Sequence, residues 1–131
     1  MPTVVVGYVP KPEGDAAVRA AVAEARLRGA GLVVVSSQRG GEDPDAAGTA
    51  ERDLGAVREL LEQSGVAYEV RQLGQGLEPA EDLLSIAEST HAELIVIGLR
   101  RRSPVGKLIL GSNAQRILLD AHCPVLAVKA R

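Results

Sequence analysis

The chain has 131 residues, which suits one domain (1–131) with a single hydrophobic core. Hydrophobic residues make up 46% of it, yet it has no Phe or Trp and only two Tyr, so the core must be aliphatic. The formal net charge of -2 disfavours nucleic-acid binding, and no apolar run approaches the roughly 20 residues that cross a bilayer. One cysteine allows no intrachain disulfide, and the first residues do not resemble a signal peptide. We therefore expect a cytoplasmic protein that contacts neither membrane nor nucleic acid.

The first third of the chain predicts two buried strands joined by a helix. Thr3–Val9 is a near-continuous apolar run, which is typical of a strand covered on both faces. The cluster PKPEGD breaks this pattern, and from Asp15 the apolar residues recur with a helical period as far as a stop at Gly29. Leu32–Val35 predicts the second strand.

A polar segment from Ser36 to Gly48 predicts a loop, within which Asp43-Pro44 is a candidate helix start. An apolar stripe up to Leu61 predicts the second helix. Val66–Val70 alternates apolar and more polar residues, which indicates a third strand at an edge of the sheet.

The third helix is predicted to open near Glu78-Pro79, with Glu81-Asp82 on its solvated face. Leu94–Ile97 predicts the fourth strand. Ala114, Ile117, Leu118 and Ala121 then form the inward stripe of a fourth helix, and Val125–Val128 predicts the fifth strand. Strict alternation of strands and helices predicts an α/β fold: a doubly wound, mainly parallel five-stranded sheet with helices on both faces.

In such sheets, ligands bind beyond the carboxyl ends of the strands, where the strand order reverses. The loops after the first and fourth strands are the candidates to flank that crevice. The second of them ends at Gly111-Ser112-Asn113, where the unpaired N–H groups of a helix start favour an anion. Ser112 either caps this helix or contacts a phosphate. The segment is not a Walker loop, because Leu108 follows Gly106-Lys107.

The segment IVIGLRRRSPVGKLILGSNAQRILLDAHCPVLAVK resembles the carboxyl-terminal signature of the universal stress protein family. In that signature a glycine, two residues, a second glycine, nine residues and Gly-Ser or Gly-Thr precede a helix and a Cys-Pro-Val-Leu strand. Gly98, Gly111-Ser112 and Cys123–Leu126 match it. The resemblance implies an adenine nucleotide alpha-hydrolase-like fold. In some members it also implies binding of ATP or a related adenine nucleotide, with any Mg²⁺ carried by the nucleotide.

Two positions depart from the pattern of the nucleotide-binding members. Arg101 replaces the second glycine, and Val9 stands where those members resemble one another in an acidic residue that contacts the nucleoside. Glu13 or Asp15 can substitute for that residue only if the loop folds back. The three consecutive arginines either contact phosphate or form an ordinary solvated surface.

The predicted site places a base and ribose against the ends of the first two strands and phosphates at the loop after the fourth. Its candidate residues are Val9, Pro10, Ser36, Ser37, Gly98, Arg100, Arg101, Arg102, Gly111, Ser112 and Asn113. We expect a binding module and not an enzyme, although slow ATP hydrolysis stays open. His91 and His122 lie too far apart to suggest a metal site, and Cys123 is expected to be a small buried hydrophobe.

The last strand leaves an uncovered apolar edge, which favours pairing with a second copy. The predicted interface comprises Val125, Leu126, Ala127 and Val128, and the family resemblance implies the same kind of homodimer. A rival interpretation is a homodimeric interaction protein that binds no nucleotide. A third, nucleic-acid contact through the arginine run, is opposed by the acidic balance and the scarcity of aromatic residues.

Overall fold

Strands and helices alternate along the computed structural model, which describes residues 2–37, 44–73, 79–99 and 111–130, with the backbone alone described at 37, 44–53 and 73. The elements are β1 (Thr3–Tyr8), α1 (Pro12–Arg28), β2 (Gly31–Ser37), α2 (Pro44–Ser64), β3 (Tyr68–Leu73), α3 (Pro79–Ser89), β4 (Leu94–Leu99), α4 (Ser112–Asp120) and β5 (Val125–Lys129).

The strands form one sheet in the order β3-β2-β1-β4-β5, and every neighbouring pair is parallel. The chain therefore winds outward from β1 to one edge, crosses back, and continues to the other edge. This confirms the predicted doubly wound α/β fold, with β3 and β5 as the edge strands.

Helices cover both faces of the sheet, and the side chains of the central strands alternate between two cores. Val4 and Val6 of β1 pack in a cluster with α1 and α2, whereas Val5 packs with α3 and α4. All three valines are fully buried. Each contributes roughly 1.5–3 kcal/mol through burial of its side chain. The need to fill both cores explains why β1 reads as a continuous apolar run.

The first helix begins at Pro12 and not at Asp15, so the predicted start is wrong. Lys11 is its extended N-cap, and Pro12 sits at the first helical position, where a missing N–H costs nothing. Position 14 requires glycine, because a Cβ built there would lie 1.8 Å from the Val9 carbonyl oxygen and would clash with it. Residues that look like helix breakers thus form the first turn. The helix ends, as predicted, at Gly29, whose φ of 62° is left-handed.

The loop predicted from Ser36 to Gly48 is shorter than expected. Ser36 and Ser37 belong to β2, because the parallel ladder continues through them to Tyr8 of β1 and Leu73 of β3. α2 already begins at Pro44, and residues 38–43 lie outside the described part of the chain.

Two side chains lie elsewhere than the helical periodicity predicts. Asp82 is only 8% exposed, because it lies one turn before the buried Ile86 and shares that side of α3. Leu118 is 40% exposed, although its position predicts an inward side chain. α4 packs mainly against α3, which leaves Leu118 and the 82%-exposed Leu119 on an open side.

Candidate functional site

The sheet divides where the strand order reverses, between β1 and β4. Val4–Val6 of β1 pair with Leu94–Val96 of β4. Beyond these residues the two strands no longer pair with each other, although β1 continues to Tyr8 and β4 to Leu99. On its other side each strand stays paired to its end, β1 with β2 through Tyr8 and β4 with β5 through Leu99. The two strand ends therefore part at the carboxyl edge, which is the place where doubly wound sheets bind ligands.

A pocket of about 190 Å³ occupies this division. Strand ends supply one wall, and the first turns of α3 and α4 supply the other. The lining residues are Gly7, Tyr8, Val9, Val35, Pro79, Ala80, Leu83, Ile97, Gly98, Asn113, Ala114 and Ile117. Most of this lining is apolar, so the interior suits an uncharged group better than a phosphate.

The structure brings three of the predicted site residues into this lining, namely Val9, Gly98 and Asn113. Ser36 is buried in β2 but does not line the pocket. Because side chains alternate along a strand, its neighbour Val35 lies on the pocket side instead.

The remaining predicted residues lie around the pocket or beyond the described ranges. Pro10, Gly111 and Ser112 are exposed and are not part of the lining. The side chain of Ser37 is not described, and Arg100, Arg101 and Arg102 fall outside the described residues. Their proposed contacts stay predictions.

Gly98 has a structural reason to be glycine that the sequence did not reveal. A Cβ built there would lie 2.1 Å from the carbonyl oxygen of Glu13 and 3.0 Å from its Cβ. The close approach at Gly98 is therefore to the first turn of α1. The match of Gly98 to the family signature therefore has a packing reason in addition to its place in the pocket lining.

Helix α4 begins at the rim of the pocket without a side-chain cap. Its N-cap is Gly111, with extended backbone (φ −66°, ψ 164°), and the Gln115 N–H donates to the Gly111 carbonyl at 3.0 Å. Ser112 is thus the first helical residue, and the interpretation of Ser112 as the cap is wrong. The first N–H groups of any helix lack intrahelical acceptors and carry the positive end of the dipole. Here that end lies beside the pocket residues Asn113 and Ala114.

One ion pair joins the two helices that wall the pocket. Arg116 Nη1 of α4 lies 2.8 Å from Glu81 Oε1 of α3, and both side chains are more than a third exposed. Such an exposed pair contributes at most about 1 kcal/mol to stability. Next to it in the chain, burial raises the pKa of Asp82, and the charge of Glu81 raises it further.

Two further groups near the sheet have notable environments. Burial raises the pKa of the half-buried Cys123 thiol, so it stays protonated, which suits a small hydrophobe better than a nucleophile. Glu13 is only 7% exposed, and its Oε1 atom is buried without a hydrogen-bond partner.

Within the described residues, no cluster of His, Cys, Asp or Glu could hold a metal ion. No described helix is long and apolar enough to cross a membrane.

Sequence reasoning missed the apolar half of the pocket. Val35, Leu83, Ile97 and Ile117 look like ordinary core residues. Two of them have a usable signal: Val35 and Ile97 lie near the carboxyl ends of their strands, which is where a doubly wound sheet opens.

The family follows from comparison with known proteins. The model of the universal stress protein family matches residues 1–129. The chain belongs to the universal stress protein family. A universal stress protein of Mycolicibacterium smegmatis is 46% identical over 126 residues, which cover 96% of each chain.

Solved structures of this family share the fold. A universal stress protein from Archaeoglobus fulgidus is 37% identical, with a TM-score of 0.81 over 98% of each chain. The universal stress protein from Archaeoglobus fulgidus in complex with dAMP is 30% identical, with a TM-score of 0.75 over 98% of each chain. These findings confirm the resemblance and the fold class that the sequence predicted.

Proposed function

We propose that the protein binds an adenine nucleotide in the pocket between β1 and β4 and serves as a nucleotide-responsive module in a stress response or in signalling. The observation that carries this proposal is the position of the pocket, which opens where two central strands part and where α4 begins at its rim. The dAMP complex of the Archaeoglobus fulgidus relative supports the ligand class.

The size and lining of the pocket favour entry of the base alone. Its volume of about 190 Å³ is below the roughly 300–1,000 Å³ that enclose a whole drug-sized ligand. The apolar wall around Val35, Leu83 and Ile117 suits a purine face. The phosphates would then lie outside, at the start of α4, where N–H groups and the dipole favour an anion.

Gly111 leaves the approach to these N–H groups open, because nothing described lies within 4 Å of a Cβ built there. We expect Ser112 and Asn113 to contact the phosphates, and Arg100, Arg101 and Arg102 give the sequence before α4 three positive charges. Any Mg²⁺ would arrive on the nucleotide, coordinated by its phosphates.

We propose a binding module and not a catalyst. Of the two lining residues with a polar side chain, Tyr8 packs that side chain in the core cluster with α1 and α2, and the amide of Asn113 cannot act as a general base toward water. The cytoplasmic location stays a prediction of the sequence.

A direct test is to denature the purified protein and to search the supernatant for adenine nucleotide by mass spectrometry. Calorimetric titration with ATP, AMP and cyclic AMP then gives the affinity of each ligand. Release of a nucleotide, or saturable heat with at least one ligand, is the expected result. If the protein releases none and gives no heat at millimolar ligand, the proposal is wrong.

A second candidate function is a homodimeric interaction protein that holds no nucleotide. It is favoured by the apolar Val9 at the pocket and by the half-buried side chains from Val125 to Val128 on edge strand β5. Leu118 and Leu119 of α4 are further exposed apolar side chains. We propose that the homodimer forms through β5 under either function, so the nucleotide release and titration experiments are the ones that separate the two functions.

A further inference from the structure

Helix α4 is the less firmly anchored of the two helices that wall the pocket. Its residues Asn113, Ala114 and Ile117 belong to the lining. Ile117 is the one buried residue among the nine of α4, whereas α3 buries five of its eleven residues. Because α4 packs mainly against α3, the spacing of the two helices sets the width of this side of the pocket.

The ion pair between Glu81 and Arg116 crosses from α3 to α4 beside the lining residues. Glu81 follows Ala80 in the chain and Arg116 precedes Ile117, and both of these neighbours line the pocket. The distance of 2.8 Å between Arg116 Nη1 and Glu81 Oε1 is that of a charge-assisted hydrogen bond. The pair therefore fixes the distance between the two helices at the level of the pocket.

The second contact of Arg116 has no such effect. Its Nε atom lies 3.7 Å from Asp120 Oδ2, one turn further along the same helix. A pair within one helix does not constrain the position of that helix relative to α3. The two acidic partners of Arg116 thus separate a contact between helices from a contact inside one helix.

We propose that Glu81 and Arg116 are positioning residues, a latch that holds α4 against α3 and keeps the pocket at the width that the bound base needs. The inference rests on the proposed function and concerns the regulation of the same site. Neither residue lines the pocket, so the latch acts through the helices. A wall that is held in place before binding spares the ligand the cost of ordering it, so the latch raises affinity. Salt screens exposed charges, so ionic strength weakens the latch and promotes release of the ligand.

The test measures binding of adenosine and of AMP to the wild type, Glu81→Gln and Arg116→Gln by calorimetric titration. Adenosine carries no phosphate, so its binding reports the pocket without any phosphate contact. Each variant is expected to bind both ligands about two- to fivefold more weakly, which is the range for an exposed ion pair. In 1 M NaCl, where the Debye length is about 3 Å, all three proteins are expected to bind adenosine equally. The control Asp120→Asn removes the contact within α4 and is expected to bind like the wild type.

Exchange of the two charges tests the pair itself. Glu81→Arg and Arg116→Glu each place like charges across the two helices, so each is expected to weaken adenosine binding at least as much as the neutral variants do. The double variant restores opposite charges and is expected to recover most of the lost affinity. Thermal melting of the ligand-free neutral variants is expected to stay within about 2 °C of the wild type, because an exposed pair contributes little to stability.

Several outcomes overturn the inference while the proposed function stands. If Arg116→Gln loses affinity for AMP and keeps that for adenosine, Arg116 is a phosphate ligand and no latch. Unchanged affinity in both neutral variants, an equal loss in Asp120→Asn, or a double variant no better than the single ones also refutes it. A loss of affinity that appears only with a lower melting temperature assigns the pair a structural role. AMP binding without adenosine binding means that the pocket does not hold the base by itself, and the latch then has no ligand to retain. Failure of the wild type to bind any adenine nucleotide overturns both proposals.

Discussion

Replacing Gly98 with alanine tests the packing of α1 on the end of β4. The added methyl carbon would lie 2.1 Å from the Glu13 carbonyl oxygen and 2.6 Å from its carbonyl carbon. This is about 1 Å closer than real contacts allow, so one of the two backbones must move. Neither moves freely, because β4 pairs with β5 through Gly98, and Gly14 fixes the same turn of α1 on Val9.

The cost follows from these constraints. Overpacking of a well-packed site costs typically 1–3 kcal/mol, and a contact between two backbones belongs at the upper end, so we expect about 3 kcal/mol. In a domain of this size, that corresponds to a fall in Tm of about 10 °C. It is also a large share of the roughly 5–15 kcal/mol that stabilises a typical domain.

The matched control is Gly111→Ala, since nothing described lies within 4 Å of a Cβ built at Gly111 and its φ of −66° suits any residue. Alanine is a poorer N-cap than glycine, so a loss of about 1 kcal/mol or less is expected there. Urea and thermal unfolding followed by circular dichroism measure both variants. If Gly98→Ala unfolds within about 1 °C of the wild type, or if Gly111→Ala is the more damaged of the two, the assigned contact with Glu13 is wrong.

Three further predictions concern the ligand, the pH dependence and the dimer. Gly111→Val should weaken nucleotide binding at least about tenfold in a calorimetric titration while the circular dichroism spectrum stays unchanged; undiminished affinity would place the phosphates elsewhere. Burial raises the pKa of Asp82, so the folded protein loses stability as the pH rises above the ordinary value of 3.8. Asp82→Asn should therefore gain stability relative to the wild type as the pH rises above 3.8, as measured by urea unfolding, whereas the control Glu88→Gln changes an exposed carboxyl group that lacks this burial. Ala127→Arg on edge strand β5 should yield a monomer in size-exclusion chromatography with light scattering, while Val70→Arg on the opposite edge should leave a dimer; a dimer in both variants contradicts the β5 interface.

The fold was predictable because its central strands are buried on both faces. Strands that contact two helical layers need apolar residues at every position, so Thr3–Val9, Leu32–Val35 and Leu94–Ile97 stand out from the amphipathic helices between them. The start of α1 was not predictable from propensity. Pro12 and Gly14 disfavour helix interiors, and only their positions in the first turn, against Val9, make them suitable.

The site was predictable in position but only partly in composition. The loops after the first and fourth strands were expected to flank the crevice, and Val9, Gly98 and Asn113 line the pocket there. The sequence could not distinguish Val35 from a core residue, because pocket walls and cores are built from the same apolar side chains. The burial of Glu13 depends on how closely a helix approaches a strand end, which no local pattern encodes.

The early end of the pairing between β1 and β4 has a consequence for solubility. Unpaired strand edges at the margin of a sheet invite other chains to add on, which promotes aggregation. Here β1 and β4 separate inside the sheet, after Val6 and Val96. Their outer neighbours β2 and β5 still pair with them as far as the strand ends. Peptide groups at this internal opening lie between strands that stay paired on their outer sides, so they are less available to a foreign strand than the margins of the sheet.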